Sequence, residues 1–435
     1  MTLFAALNTA ISGLSAQSAA FSNISDNVAN SQTVGFKSTD TAFIDYLTGS
    51  TAQSNSPGAV VATPAYQNNV QGTLAQTNNP LNLAITGQGF FDVSKPSGMV
   101  NGAIAFSPQS FFTRAGDFTM DKNGYLVNSG GGYLNGWAVN SATGVVNRTT
   151  LSPIQVTQTQ YNPVATANVT LQANLPATPA AGTPVSAQID VYDALGTSHT
   201  VTPDWTQSAP GVWNVAVNVP DDIAAASRGG ATVSFGAVSG NPVAEGTVGG
   251  VSGGTGSVIS GSYAAGSSAT LTFATDFGAG TQNITLDLGT YGLSNGVTQY
   301  AGTAFSLQGI NQDGVPPGSF SSLTTTQTGD VVVNYNNGQA RTIARVPVTT
   351  FNNPDALQRQ DAQTFTTTVD SGTPSAHDAG SNGAGGLVVS SVEDSNVDIA
   401  TQFSKLIVAQ RAYSANSKIV TTADELLQQT LDMKR

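Results

Sequence analysis

Leu7-Asn-Thr-Ala-Ile11-Ser-Gly-Leu14-Ser-Ala-Gln-Ser-Ala-Ala-Phe21-Ser-Asn-Ile24-Ser-Asp-Asn-Val28 puts an apolar residue at every seventh position: Leu7, Leu14, Phe21 and Val28. A second row of the same period lies at the other end of the chain, at Ile399, Leu406, Tyr413, Val420 and Leu427. Phe4, Ile11 and Ile24 widen the first row. Phe403, Ile407, Ala423, Leu426 and Leu431 widen the second. A seven-residue apolar repeat is the seam of helices that pack side by side. The roughly 350 residues between the two rows carry no such seam and read as strands and turns. Distant ends that both want a helical partner predict a chain that joins neighbouring copies.

Composition narrows the class. The 435 residues are enough for two or three domains with their own cores. Only 9% are charged, against an average near a quarter, and glycine is abundant at 47 residues. Such a mix suits a turn-rich β protein. The net charge is −12, carried by 23 Asp and 3 Glu, and Arg228 is the single basic residue between positions 149 and 340. Nucleic acid is thereby excluded as a partner, because phosphate binding needs clustered Lys and Arg. The acidic middle reads as the solubilising surface of an exposed domain. With no cysteine there is neither a disulfide nor a thiolate metal site. No stretch of 18 apolar residues occurs, so no transmembrane helix and no direct membrane insertion are expected. The first residues lack the basic start and apolar run of a cleavable signal peptide, since no basic residue precedes Lys37.

Residues 2 to about 30 predict a helix in which Gly13 costs up to about 1 kcal/mol relative to Ala. Its outer positions are small or polar. Alone in water it is marginal, so the terminal helices are expected to be disordered in a free monomer. Turn chemistry at residues 30–36 ends the helix, and residues 37–70 read as an extended linker. Alternation at Leu81–Ile85 opens a β region. Asn123-Gly124 and Asn337-Gly338 mark hairpin tips suited to type I′ turns. Residues 229–270 are rich in Gly, Ser and Ala and fit either long surface hairpins or a mobile loop. Ser395-Asn-Val-Asp398 resembles a capping box and places the start of a C-terminal helix there.

The order is nested. Residues 1–36 and 395–435 are the helices of an inner domain; 37–70 and 371–394 are linkers. Residues 71–151 and 301–370 form a middle β domain, and 152–300 an outer one. The predicted fold class is α+β, with discontinuous terminal α-helices forming a coiled-coil-like inner domain around two nested, mainly antiparallel β domains. The two ends of the chain must then lie near each other.

Site chemistry is sparse. His199 and His377 sit in unrelated segments without a metal-ligand partner at a useful spacing. There is no Gly-Lys dipeptide and hence no P-loop. Gly250-Val-Ser252-Gly-Gly254 formally matches a nucleophile elbow, but it lies in a low-complexity tract with no strand expected before it and no helix after it. Asp121-Lys-Asn123-Gly124 resembles part of a calcium loop without the later acidic ligands. Asp190 and Asp193 form a nominal carboxylate pair of a kind that many aspartates make inevitable. No catalytic constellation, cofactor site or metal site is expected, and the chain does not read as an enzyme.

The ends carry a further signal. Ala10-Ile-Ser-Gly-Leu14, Ile24-Ser-Asp-Asn-Val-Ala-Asn30 and Thr33-Val-Gly-Phe-Lys37 resemble the flagellar rod and hook protein family. Ser395–Asp398 and Ala409-Gln-Arg-Ala-Tyr413-Ser-Ala-Asn416 are similar to its C-terminal signature. The motif residues are Asn27, Asn30, Gly35, Phe36, Gln410, Arg411 and Asn416. Leu81–Val93, Phe112-Thr-Arg-Ala-Gly116, Val191–Thr200, Tyr335–Gln339 and Phe351–Pro354 are similar to its β domains, the last three to the hook branch. Asp26 stands where the family usually has Asn, and Val28 where it usually has Ile. The resemblance implies a structural hook subunit that forms a homopolymer and leaves the cell through the flagellar type III export apparatus without a cleaved leader. It implies as neighbours the distal rod protein, the hook cap and the hook–filament junction proteins. A distal rod protein shares the ends but usually lacks the inserted 152–300 region. A secreted adhesin or glycan-binding β protein is the reading from a different class.

Overall fold

Helix α1 runs from Leu3 to Ala29 and helix α2 from Ile399 to Asp432. The structure, a computed structural model, describes residues 3–51, 54–100, 102–140, 143–179 and 182–432. The end of α1 is closed by side chains: Asn30 Nδ2 donates to the Asp26 carbonyl at 2.9 Å, and Thr33 Oγ1 donates to Asn30 Oδ1. Helix α2 starts four residues later than the capping-box reading predicts. Asp398 is the cap, accepting from Thr401 N at 3.0 Å. Ser395 Oγ accepts only from Val397 N, two residues on, and Asn396 is held elsewhere, its Oδ1 accepting from Ser38 N and its Nδ2 donating to the carbonyls of Gln67 and Val70.

The two predicted linkers are corrected. Residues 37–70 contain a long antiparallel ribbon, β1 (Thr39–Thr51) with β2 (Ser54–Tyr66). Alternation is weak there because the ribbon carries apolar side chains on both faces: Phe43 and Ile44 are both exposed. Residues 371–394 hold three short strands that pair back into the β body. Ser375–His377 pairs with Val348–Thr350, Gly386–Val389 with Leu83–Thr86, and Ser391–Glu393 with Leu74–Gln76. Their partners lie far away in sequence, so nothing local in this Gly/Ser/Asn-rich stretch announces them.

The chain forms two compact units. The first comprises residues 1–158, 321–334 and 340–435. It contains the helices, the ribbon and a large mixed-length sheet that includes Phe91–Ser94, Phe111–Thr113, Tyr133–Val139 and Ala340–Arg345. Phe90, Phe112, Phe351, Leu357 and Phe365 form a local apolar cluster beside that sheet, with edge-on ring contacts. Both hairpins read from Asn-Gly pairs are present: Thr119–Met120 pairs with Leu126–Val127, and Asp330–Tyr335 with Ala340–Arg345. Gly124 and Gly338 take φ of +83° and +79°, but Asn123 and Asn337 do not take the positive φ that a type I′ turn also needs, so the expected turn type is corrected: the Gly124 and Gly338 N–H groups donate to the carbonyls of Asp121 and Tyr335, and each tip is a three-residue loop ending on a left-handed glycine.

The second unit comprises residues 159–320 and 335–339. Two six-stranded sheets share one core, centred on Trp205, Trp213, Phe273, Leu271 and Val233. The 229–270 tract resolves into strands of these sheets, Ser227–Phe235, Val248–Ser252 and Val258–Ser260, which bury Val233, Val248 and Val258. Ser252 therefore does end a strand, contrary to expectation, but it is exposed and no helix follows it. Asp193 closes a turn by accepting from Leu195 N and Thr197 N, whereas Asp190 is exposed, so the nominal carboxylate pair is not a pair. Asp121 accepts from Asn123 N and Tyr125 N and serves the hairpin turn.

Candidate functional site

Helix α1 is the floor on which the other terminal elements rest. Apart from Ile24, its deeply buried residues are small or polar: Ala10, Ala16, Ala20 and Asn27. The matching row of α2 is Gln402, Ala409 and Ala423. Small side chains let the helices approach closely. A Cβ built at Gly13 would lie 2.8 Å from Asn416 Nδ2, so the glycine read as a weak point of the helix is also a contact point. The rings of Phe21 and Tyr413 meet edge-on at 6.3 Å, and Asn27 Nδ2 donates to Gln402 Oε1 at 3.3 Å.

The two heptad rows are thus brought together in one chain, but incompletely. Leu7, Leu14, Phe21, Val28, Leu406, Val420 and Leu427 are half-buried, while Ile399 and Tyr413 are exposed. The side chain of Leu431 lies outside the described residues. Beyond the rows, Phe4, Ile11, Phe403, Ile407, Val408, Ile419 and Leu426 are exposed. The helix pair therefore leaves a run of large apolar side chains uncovered, more than singly scattered surface residues would give.

The ribbon lies along α1 through polar contacts. Thr9 Oγ1 donates to the Gly58 carbonyl at 3.0 Å, Val60 N donates to Ser12 Oγ at 3.1 Å, and Asn23 Nδ2 donates to Thr41 Oγ1 at 2.8 Å. Lys405 on α2 reaches Asp40 on β1 at 2.6 Å. Between α2 and β1, over α1, an apolar groove of about 590 Å³ remains open, lined by Ala20, Ile24, Phe43, Ser404, Lys405 and Val408 among others.

The motif residues divide by role. Asn27 is buried and serves the start of β1, with its Nδ2 donating to Thr39 O and its Oδ1 accepting from Thr39 N. Gly35, at φ +69°, donates its N–H to the Glu393 carbonyl at 2.7 Å, and an added Cβ would lie 2.4 Å from Ala115 N. Phe36 is buried beneath the Arg359 guanidinium, 5.8 Å from its ring. Arg359 also donates to Thr39 Oγ1, the Ser38 carbonyl and Asn68 Oδ1, and so holds the base of the ribbon. Gln410 and Arg411 are exposed on α2.

Composition and spacing do not reveal the buried ionic clasp where the terminal segments meet the β body. Lys37, Arg114 and Glu393 are sealed from solvent. Glu393 Oε1 accepts from Lys37 Nζ and, at 2.8 Å, from Gly72 N. Its Oε2 accepts from Arg114 Nη1 at 3.0 Å. Lys37 Nζ also donates to Val70 O at 2.6 Å, and Arg114 to the carbonyls of Ile85 and Gly87. Burial pulls the Lys37 ammonium down to about 8, with Glu393 opposing the shift and Arg114 adding to it. The clasp joins Lys37, the last residue of the N-terminal signature, Glu393, just before the C-terminal signature, and Arg114 at the end of the strand Phe111–Thr113.

Neither histidine forms a site. His199 stacks on Phe277, 3.9 Å between ring centroids, with Nδ1 3.2 Å from Asp221; His377 contacts Ser375 Oγ. Among the described residues, no group of three or more His, Cys, Asp or Glu is arranged to hold a metal, and no helix is long and apolar enough to cross a membrane.

Four family descriptions match successive parts of the chain. Residues 7–37 match the flagella basal body rod protein, and 84–174 the D1 domain of flagellar hook protein FlgE/F/G. Residues 155–315 match the flagellar basal body protein FlaE D2 domain, and 389–433 the C-terminal part of the flagellar basal body rod FlgEFG protein. A solved structure, the flagellar hook protein FlgE2 of Helicobacter pylori, aligns with a TM-score of 0.46 at 14% identity, covering 72% of this chain and 98% of that one. The flagellar hook protein FlgE of Salmonella typhimurium (strain LT2) is 27% identical over 438 residues, 98% of this chain and 99% of its own. That of Brucella abortus biovar 1 (strain 9-941) is 30% identical over 440 residues, the whole of both chains. Full-length identity at that level, with the terminal signatures and the D1 and D2 matches in order, shows that this chain belongs to the flagellar hook protein family.

Proposed function

We propose that the protein is the repeating subunit of the flagellar hook, a tube whose copies are held together by their terminal helices and which bends while transmitting torque from rod to filament. The observation that carries this reading is the uncovered apolar surface of the helix pair: Phe403, Ile407 and Val408 on α2, with Phe4 and Ile11 on α1. Each large side chain buried against a neighbouring copy contributes roughly 1.5–3 kcal/mol. Several per subunit sustain a polymer that the helix pair of a single chain does not complete. The helices bury mainly alanine within one chain, which supports their ordering fully only on assembly. The outer β unit supplies contacts that slide during bending: its surface is acidic, glycine-rich and sparsely apolar. Seam residues Leu7, Leu14, Phe21, Val28, Ile399, Leu406, Tyr413, Val420 and Leu427 belong, on this reading, to the polymer's inner layer. The family resemblance points to the distal rod protein, the hook cap, the hook–filament junction proteins and the type III export apparatus as partners, and to export without a cleaved leader.

Electron microscopy of the purified protein after polymerisation tests the reading, with curved hollow tubes expected. Ile407→Asp, at an exposed position, should leave both units folded and abolish the tubes. Straight short rods would favour a distal rod protein, and a stable monomer that never polymerises would overturn the proposal.

A further inference from the structure

The helix pair carries an apolar hole at one end and apolar knobs at the other. The hole is the groove of about 590 Å³ over Gln17, Ala20 and Ile24 of α1, walled by Phe43 of β1 and by Lys405 and Val408 of α2. The knobs are Phe4, 67% exposed, and Ile11, 49% exposed, seven residues apart on one face of α1. We propose that the groove receives Phe4 and Ile11 from the α1 helix of a second copy of this chain, so that copies join head to tail. The inference rests on the hook-subunit reading and specifies its contact.

Three observations support this occupant. The first is volume: a cavity of roughly 150 Å³ holds a benzene ring, so the groove has room for a Phe ring and an Ile side chain together. Charge is the second. No ionisable side chain precedes Asp26, so residues 4–11 bring no charge of their own into the groove, and the two charges in its wall, Lys405 and Asp40, are already paired with each other at 2.6 Å. The other exposed row at the same end of the pair, Ile419 and Leu426 on α2, is flanked by Lys418, Asp424 and Glu425, which would have to be stripped of water. The third is placement. Knob and hole lie on the same helix about 13 residues apart, which is about 20 Å along its axis. One chain therefore cannot fill its own groove with its own Phe4. A contact between different patches is heterologous, and repeated it builds a ring or an open helical filament rather than a closed dimer. Neighbouring copies in this contact are offset by about 20 Å along the helix direction.

The absence of cysteine allows a direct test. Phe4→Cys and Val408→Cys are placed together in one chain, tubes are assembled, and the tubes are oxidised. The expected product is a ladder of disulfide-linked oligomers, because every copy carries both halves of the contact. Co-assembly of the two single-cysteine variants should give linked dimers only, and each single variant alone should stay unlinked. Ile11→Cys with Ser404→Cys is the second pair, for use if the first prevents assembly. Phe4→Ala should raise the critical concentration for tube formation roughly ten- to a hundredfold. Assembled tubes in which neither pair cross-links overturn the contact and leave the hook-subunit reading intact. Efficient linkage of Phe4→Cys to itself in tubes also overturns it, because Phe4 then lies beside its counterpart in another copy rather than in that copy's groove. Wild-type protein that forms no tubes overturns the reading beneath it.

Discussion

Replacing Glu393 by Gln removes the single anion of the clasp and leaves the volume nearly unchanged. Glu393 is fully buried, with Lys37 on one carboxylate oxygen and Arg114 on the other. A glutamine retains one acceptor oxygen, enough for either Lys37 with Gly72 N or Arg114. Its amide nitrogen is then a donor facing a donor. Two cations remain in a site without solvent. Breaking a buried pair in this way costs about 3–5 kcal/mol, a large part of the stability of an ordinary domain. Part of the cost is relieved by Lys37, whose ammonium is already drawn down to about 8 by burial and loses its proton more easily still without Glu393. The protein supplies its own reporters. Trp137 lies in the first unit, Trp205 and Trp213 in the second. Denaturant unfolding followed by the fluorescence of single-tryptophan variants should show the Trp137 transition weakened by about 3–5 kcal/mol and the other transition unmoved. Adding Lys37→Met to Glu393→Gln should recover part of the loss, since it removes one stranded cation. A loss under about 1 kcal/mol in the single variant would refute the claim that this triad ties the terminal segments to the β body.

Two further predictions follow from the same unit. Burial pushes the Asp92 carboxyl up to about 6, only partly offset by the Asn135 amide that donates to it. The folded state therefore binds a proton that the unfolded state releases above its usual value of 3.8, and stability from this group falls as pH rises from about 4 to 6. Asp92→Asn should make the first unit more stable at pH 7 by up to about 3 kcal/mol, with the gain vanishing near pH 4; an unchanged pH profile would sink the assignment. Gly35→Ala places a Cβ against the Ala115 backbone at a left-handed φ, with backbone as the obstructing atoms, so a loss of at least about 2 kcal/mol in the Trp137 transition is expected.

Legibility in the sequence followed the range of the interaction. The helices could be read because period seven repeats within each, and the Asn123-Gly124 and Asn337-Gly338 hairpins because two adjacent residues set the turn. The β1–β2 ribbon could not be read as such. It packs on α1 through Thr9, Ser12 and Asn23 rather than through an apolar face, so the alternation that marks a strand is blurred. Glu393 was invisible for another reason: one acidic residue in a polar stretch has no pattern, and its partners stand 356 and 279 positions away. The heptad rows named the faces along which α1 and α2 meet, but not which of their apolar side chains the pair leaves exposed.

Local chemistry alone therefore determined that this chain has two amphipathic helical ends, a turn-rich acidic middle, and no metal or nucleophile cluster of recognisable spacing. The tertiary structure decided which faces of those ends are already covered. Close approach at Gly13 requires a small residue inside the pair, and alanines fill most of its other buried positions, while Phe4, Ile11, Ile407 and Val408 are left outward. It also decided that Lys37, Arg114 and Glu393 meet, because bringing three charges together out of water needs the folded β body to exclude solvent around them.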